Sequence, residues 1–204
     1  VVRIDVADAT DLGAEMLRAE IAVAAAGSIL GIHPFDQPDV QLAKDLAKRA
    51  MAGELPKGEM PTAAPTDRGA LEGWTGTIAA GDYLALQAFL APSDELEARL
   101  QRVRHLLREK HRVATTLGWG PRFLHSTGQL HKGGPDSVVA MQLIDSPSED
   151  LEVPELGFSF GRLLAGQADG DLAALVDRER RVIRVDLGDD PGAGLDHLAE
   201  AIDG

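Results

Sequence analysis

The sequence contains no cysteine among its 204 residues, which excludes disulfides, thiolate nucleophiles and zinc sites with sulfur ligands. Positive charge is also scarce, because 20 Lys and Arg residues stand against 33 Asp and Glu residues and leave a formal net charge of −13. Binders of nucleic acid or of a membrane surface need a basic face, so we expect neither partner, although a local basic patch could still bind an anionic metabolite. No apolar run approaches the ~20 residues that cross a bilayer. We therefore expect a cytoplasmic protein.

An initiator methionine is missing as well. The chain opens on Val1–Val6, where apolar and polar residues alternate as in a strand, and this stretch is too short and too soon interrupted by charge to be a signal peptide. We therefore expect a piece of a longer polypeptide. The hydrophobic content of 44% and the charged content of 26% are those of a globular chain, whose length fits one large domain or two small ones.

The common metal and nucleotide motifs are also absent from the sequence. The histidines show no His-Glu-x-x-His spacing, and neither the phosphate loop Gly-x-x-x-x-Gly-Lys-Ser/Thr nor the dinucleotide fingerprint Gly-x-Gly-x-x-Gly occurs. We therefore expect no metal ion.

The first long element that the sequence predicts is a helix. Apolar residues recur at helical spacing over 12–30, behind Asp8 or Thr10 as the N-cap, and they cover nearly the whole circumference, which predicts a buried helix. A second helix is predicted from about Asp39 to Met51. Residues 52–81 hold three prolines and six glycines with weak periodicity, and they predict a long irregular loop or linker.

Apolar runs of strand length follow at 83–90, 138–144 and 182–187. Helices are predicted between and after them, from Ser93 to about residue 111, at 158–168 and 171–177, and at 194–202, whereas 113–134 shows no steady period. Strands that alternate with helices predict right-handed crossovers and a mostly parallel sheet in an α/β protein. Ligands of such sheets bind at the carboxyl ends of the strands, here the loops after Leu90, Ile144 and Leu187.

Two segments carry candidate chemistry. The first is 32–44, in which a polar turn precedes a helix and Lys44 lies about one turn inside it, where an ammonium group suits a phosphate or a developing oxyanion. The second is 115–135, in which five glycines surround a set of basic and amide side chains: Arg122, His125, Gln129, His131 and Lys132. An imidazole exchanges protons near neutral pH, and a basic pair before two glycines can form an anion nest. A solvated helix lysine and hydrogen-bonded structural histidines remain the alternatives.

Both segments resemble known proteins. The pattern Gly-Ile-x-Pro-Phe-Asp-Gln-Pro-Asp-Val within residues 20–44, with a lysine nine positions after the Phe, resembles the C-terminal signature of glucose-6-phosphate isomerase. The stretch 114–135, Ala-Thr-Thr-Leu-Gly-Trp-Gly-Pro-Arg-Phe-Leu-His-Ser-Thr-Gly-Gln-Leu-His-Lys-Gly-Gly-Pro, is similar to the bacterial bifunctional transaldolase/glucose-6-phosphate isomerase proteins. The spacing from the strand at Asp82, through this stretch, to the strand at Arg181 also resembles that of the bifunctional proteins.

The resemblance implies a sugar-isomerase (SIS) fold with three α/β/α layers, preceded by a helical segment. It implies that 1–51 ends an upstream isomerase subdomain, 52–81 is a loop or linker, and 82–204 is a SIS-like subdomain. The implied reaction interconverts glucose 6-phosphate and fructose 6-phosphate without a cofactor. After the sugar ring opens, a glutamate base moves a proton between C1 and C2 through a cis-enediol.

For individual residues, the resemblance implies catalytic roles for Lys44, near the ring oxygen, and His125, in ring opening. It implies substrate contacts for Gln37, Arg122, Gln129, His131 and Lys132. The family's phosphate loops and its glutamate motif are not visible here, so we expect them upstream of Val1, together with the transaldolase domain, and we expect the 204-residue chain alone to be inactive. The expected partners are a sugar phosphate, those upstream domains and, as an option, further copies of the chain. A non-catalytic sugar-phosphate-binding or dimerising module is the alternative function.

Overall fold

The computed structural model describes residues 3–54, 60–147 and 149–204. Contacts divide the chain into two compact units, Val1–Gln37 and Pro38–Gly204. The domain boundaries predicted at 51/52 and 81/82 stay predictions. None of the described helices is long and apolar enough to cross a membrane.

The first unit is built on one long helix, α1 (Ala9–Leu30). Its start is fixed by Asp8, whose carboxylate accepts hydrogen bonds from the backbone N–H groups of Thr10 and Asp11. The helix is as predicted, but its predicted burial is wrong, since Ile21 is 61% exposed and Ile29 is 85% exposed. An apolar circumference shows only that a helix is fit for burial, whereas burial itself needs a covering surface.

The prediction of a strand at Val1–Val6 is also wrong over the residues that the structure describes. Residues 3–7 adopt no regular secondary structure, and Val1 and Val2 lie outside the described residues. A strand is held by hydrogen bonds to a neighbouring strand, and no strand in the described ranges pairs with this segment.

The second unit is a five-stranded sheet in the order β1-β5-β4-β2-β3, and every neighbouring pair is parallel. The strands are β1 (Thr62–Ala63), β2 (Tyr83–Phe89), β3 (Ala114–Trp119), β4 (Val138–Ile144) and β5 (Arg181–Asp186). The helices are α2 (Pro38–Met51), α3 (Arg68–Thr75), α4 (Asp94–His111), α5 (Gly128–Gly133), α6 (Phe160–Asp177) and α7 (Pro191–Asp203).

Helices cover both faces of this sheet, because most side chains of the central strands are apolar on both sides. Leu84 and Leu86 of β2 face a core shared with α3, α4 and α7. Ala85 of the same strand points the opposite way, into a cluster with Leu172 of α6. Helices α2 and α5 pack on that second side, against α6. The three-layer α/β/α fold with a parallel sheet is therefore confirmed.

Three elements differ from their prediction. Strand β3 lies within 113–134, which showed no period, because this edge strand alternates exposed and half-buried residues instead of forming an apolar run. The two helices predicted at 158–168 and 171–177 are one helix, α6. The segment 52–81 contains β1 and α3, whose first turn is capped by Asp67, although 55–59 lie outside the described residues.

Candidate functional site

A row of polar side chains crosses the α6 side of the sheet. Gln87 of β2 is directly opposite Gln142 of β4, which is opposite Arg184 of β5. All three are buried, with exposed fractions of 1%, 0% and 8%. Buried polar groups are tolerated where they are hydrogen-bonded, so this row indicates a built network.

The network joins the row to α6. Gln142 Nε2 donates to the carbonyl of Ala168 at 2.9 Å, and Gln142 Oε1 accepts from Arg184 Nε at 2.7 Å. Arg184 also pairs with Asp169 at 2.7 Å. These contacts hold the middle of α6 on the sheet.

A buried ion pair lies beside this network. The ammonium group of Lys132, on α5, contacts the carboxylate of Asp171, on α6, and the side chains are 1% and 0% exposed. Burial raises the pKa of Asp171, and the charge of Lys132 opposes that shift. Because two buried charges are costly unless they are paired, removal of either partner would leave the other unsatisfied.

Lys132 and Lys44 line the same cavity, which also contains His125. This Lys44 cavity has a volume of about 260 Å³ and is lined by Val40, Ala43, Lys44, Ala47, Lys48, Met51, Pro121, Leu124, His125, Gly128, Lys132, Leu163 and Gln167. Its lining comes from α2, from the segment that holds the 3₁₀ helix Arg122–His125 and α5, and from α6. Lys44 of the first motif and His125 of the second therefore line one cavity.

The basic side chains of the Lys44 cavity differ in how they are paired. Lys132 is neutralised by Asp171. Lys48 is 4.0 Å from Asp45. Within the described ranges, neither Lys44 nor His125 has a carboxylate partner, and both side chains are exposed. These two groups are therefore available to a ligand.

Two of the helices that line the cavity, α2 and α5, are joined by hydrogen bonds. Gln129 Nε2 donates to Asp39 Oδ2 at 2.7 Å, and the backbone N–H of Asp39 donates to Gln129 Oε1 at 3.0 Å. Arg178 Nε donates to the other oxygen of the same carboxylate at 2.7 Å. Asp39 is 3% exposed, so this reciprocal pair fixes α2, which carries Lys44, against α5.

A second opening lies on the other side of the segment 121–132. This Arg122 pocket has a volume of about 580 Å³ and is lined by Tyr83, Leu86, Thr116, Leu117, Gly118, Trp119, Arg122, Phe123, Ser126, Thr127, Leu130 and His131. The segment is a common wall, because some of its residues turn to the Arg122 pocket and others to the Lys44 cavity.

His131 is a buried member of the Arg122 pocket lining. Its Nδ1 lies 3.1 Å from Gln87 Nε2, and its ring packs beside the rings of Tyr83 and Phe123. Burial, and then the charge of Lys132, lower the pKa of His131 to about 4, so the ring is neutral at pH 7.

The structure thus divides the residues that the sequence singled out. Lys44, His125 and Lys132 share one cavity, whereas Arg122 and His131 line the other pocket. Gln129 is engaged with Asp39, and Gln37 is an exposed residue of the first unit. Their roles toward a substrate stay predictions.

Sequence reasoning missed Asp39, Gln142, Asp171 and Arg184. Gln142 and Arg184 left a visible signal, because each interrupts an apolar strand. Residues 157–161 spell Gly-x-Ser-x-Gly, the letters of a nucleophile turn, but that turn requires a strand before the serine. Here a loop precedes Ser159, whose hydroxyl accepts from the N–H of Arg162 as the N-cap of α6. Across the described ranges, no group of three or more His, Asp or Glu side chains could hold a metal ion.

The fold itself has a known counterpart. No protein-family model matches the chain. A hypothetical protein, TT0462, from Thermus thermophilus superposes with a TM-score of 0.56 and 19% sequence identity, over 81% of this chain and 43% of that one. At this identity the likeness shows an α/β/α fold alone.

Two curated proteins add a chemical class. Part of the chain is 34% identical over 88 residues to a glucose-6-phosphate isomerase of Thermus thermophilus. The aligned region covers 37% of this chain and 21% of that protein. The enzyme of the same name from a second strain of that organism is 33% identical over 88 residues, with the same coverage. The chain thus spans about 21% of the length of these curated relatives, and it contains a region related to glucose-6-phosphate isomerase.

Proposed function

We propose that this chain supplies part of the sugar-phosphate site of an aldose-ketose isomerase that interconverts glucose 6-phosphate and fructose 6-phosphate. The observation that carries the proposal is the meeting of Lys44 and His125 in one cavity. They come from two separate motifs, on α2 and on the 3₁₀ helix. The partial identity to glucose-6-phosphate isomerase supports the same interpretation.

The charge of the cavity supports a phosphorylated ligand. The chain carries a formal net charge of −13, which repels anions, so a phosphate binds only where cations stand without carboxylate partners. Lys44 meets that condition within the described ranges. Apolar side chains such as Val40 and Leu163 line the same cavity and offer a surface to the carbon skeleton of the ligand.

The proposed chemistry divides between two groups. Ring opening needs a proton to leave one sugar oxygen and another to reach the ring oxygen, and an imidazole is suited to that exchange near neutral pH. We assign it to His125. Lys44 stabilises the negative charge that develops on the sugar oxygen. The glutamate base for transfer between C1 and C2, the phosphate loops and the transaldolase domain belong, in this proposal, to other parts of the same cytoplasmic polypeptide, which can self-associate.

Calorimetric titration of the chain with fructose 6-phosphate tests the proposal. Lys44→Ala should weaken binding by about tenfold or more, because a hydrogen bond to a charged group is worth roughly 1.5–3 kcal/mol. The matched control is Arg49→Ala, which removes a positive charge from the same helix at an exposed residue outside the cavity lining. Its affinity should stay within about twofold of the unaltered chain, since exposed charges are screened. Equal affinities with and without Lys44→Ala, measured with Arg122→Ala in both proteins so that the Arg122 pocket does not contribute, would remove Lys44 from the site.

A further inference from the structure

The Arg122 pocket is not used by the chemistry assigned to Lys44 and His125, which line the opposite side of the segment 121–132. We propose that it is a second ligand site, which binds a small organic phosphate: the phosphate group on Arg122 and the ring of the ligand along the aromatic wall. This site is independent of the proposed isomerase function. Its volume of about 580 Å³ falls within the range of small-molecule pockets.

Arg122 supplies the charge. Most arginines of the second unit are engaged, as Arg180 is with Asp136 and Arg184 is with Asp169. The guanidinium of Arg122 makes no ion pair or hydrogen bond within the described ranges, and the side chain is exposed at the pocket. A guanidinium with all its N–H donors available fits a phosphate in a bidentate manner.

Two neutral donors complete the polar side of the pocket. Because Gln87 Nε2 donates to Nδ1 of the neutral His131 ring, the ring hydrogen stays on Nε2 and can be donated. The hydroxyl of Tyr83 makes no hydrogen bond to any of the described residues. Donors of both kinds complement the oxygen atoms of an organic phosphate.

The hydroxyl groups of the pocket indicate that the ligand itself carries hydroxyls. Ser126 and Thr127 both donate to the backbone carbonyl of Phe123, at 3.1 Å each. Their hydrogens are therefore used, and their lone pairs remain as acceptors. A ribose or a hexose supplies the matching O–H donors.

The aromatic wall is held rigidly. The indole N–H of Trp119 donates to Glu97 Oε2 at 2.9 Å, which fixes the ring at the pocket. Phe123 packs directly on β3, where a Cβ atom at Gly118 would lie 2.7 Å from the Cβ of Phe123. Flat rings that are held by such contacts offer a surface to the apolar face of a sugar or to a nucleobase at low entropic cost.

The two tryptophans of the chain provide the test, because Trp119 lines the pocket and Trp74 is in the core. Nuclear magnetic resonance of the isotope-labelled indole N–H groups, assigned with Trp119→Phe, gives a separate signal for each. Fructose 6-phosphate and adenosine monophosphate are the two probes, since both are organic phosphates with hydroxyls. Either probe should shift the Trp119 signal and leave the Trp74 signal in place. The probe that binds more tightly shows whether the pocket prefers a sugar phosphate or a nucleotide.

Variants then locate the binding. Arg122→Ala should raise the dissociation constant at least about tenfold, and Tyr83→Phe should raise it several-fold, because each removes a donor. Arg102→Ala, an exposed arginine on α4, and Lys44→Ala should leave the Trp119 titration unchanged. The last variant separates this site from the proposed isomerase cavity. No shift of the Trp119 signal, a shift that survives Arg122→Ala, or equal affinity for inorganic phosphate alone would overturn the proposal.

Discussion

At the scale of single residues, His131 connects the sheet to both the Arg122 pocket and the Lys44 cavity. It packs against Tyr83 and Phe123 in the Arg122 pocket, bonds to Gln87 of β2, and is followed by Lys132 in the wall of the Lys44 cavity. No carboxylate touches its ring among the described residues, and the neighbouring charge is the positive one on Lys132. Protonation of His131 is therefore resisted by burial and by repulsion.

This resistance predicts a pH dependence of folding stability. The pKa of His131 is about 4 in the folded chain, against 6.5 for a free imidazole. Between these values the unfolded chain binds the proton and the folded chain does not, so the free energy of unfolding falls as the pH falls. From pH 7 to pH 5 the loss due to His131 should be about 2 kcal/mol. Urea unfolding followed by tryptophan fluorescence measures it, since both tryptophans belong to the second unit.

The variant His131→Gln isolates this contribution, because its amide can still bond to Gln87 and cannot be charged. Carboxylates with shifted pKa values, including Asp171, titrate equally in both proteins. The variant should therefore lose about 2 kcal/mol less between pH 7 and pH 5 than the unaltered chain. Parallel pH profiles for the two proteins would show that His131 is protonated alike in the folded and unfolded states.

At the scale of elements, the position of α2 depends on a close crossing with α6. A Cβ atom at Gly170 would lie 2.5 Å from the backbone nitrogen of Ala47 and 2.7 Å from the carbonyl oxygen of Ala43. The two helix backbones therefore touch at this point, and a glycine is required for close approach. The crossing sets where α2 presents Lys44.

Gly170→Ala should therefore separate the two helices and destabilise the fold by about 1–3 kcal/mol, the usual cost of overpacking. The matched control is Gly73→Ala in α3, where a Cβ atom would meet nothing within 4 Å. That change should be neutral or stabilise by up to about 1 kcal/mol, because alanine favours a helix. Calorimetric melting of both variants distinguishes a packing effect from a general effect of removing glycine. Equal melting temperatures for Gly170→Ala and Gly73→Ala would contradict the claim that the α2–α6 crossing requires a glycine.

The elements also show what a sequence can and cannot reveal. Strands β2, β4 and β5 are predictable because strands buried on both faces form apolar runs, and α4 because Leu100, Val103 and Leu107 repeat at helical spacing. Strand β3 is not predictable in this way, since this edge strand has no such apolar run. The local pattern predicts a helix break around Gly170, whereas α6 is continuous there and this glycine is the point of contact with α2. A contact between elements that are distant in the sequence leaves no mark in a local pattern.

The candidate site is predictable to a similar degree. Lys44 and His125 stand out through their motifs, and the structure brings them to one cavity. The separation of Arg122 from that cavity follows from the way the segment 121–132 coils, which residue spacing alone does not reveal. The sequence presents Asp39 as an acidic residue at a helix start, whereas its carboxylate joins Gln129 and Arg178 from other elements.

At the scale of the whole molecule, the distribution of charge matters more than its sum. The formal net charge is −13, yet carboxylates neutralise most arginines in pairs within the second unit, such as Arg178 with Asp39 and Arg181 with Asp82. Lys44 and Arg122 are left without acidic partners in the described ranges, and each lines an opening. An acidic chain of this kind attracts phosphates only at such places.

The isomerase activity of the full-length product of the gene tests this account most directly. The measurement is turnover of fructose 6-phosphate to glucose 6-phosphate by the unaltered protein, by Lys44→Ala and by the control Arg49→Ala. We expect kcat to fall by about tenfold or more in Lys44→Ala, since a charge that develops in the transition state loses its partner, and to stay unchanged in Arg49→Ala. An unaltered protein that binds the sugar phosphate without turning it over, or a Lys44→Ala variant with undiminished kcat, would contradict the account.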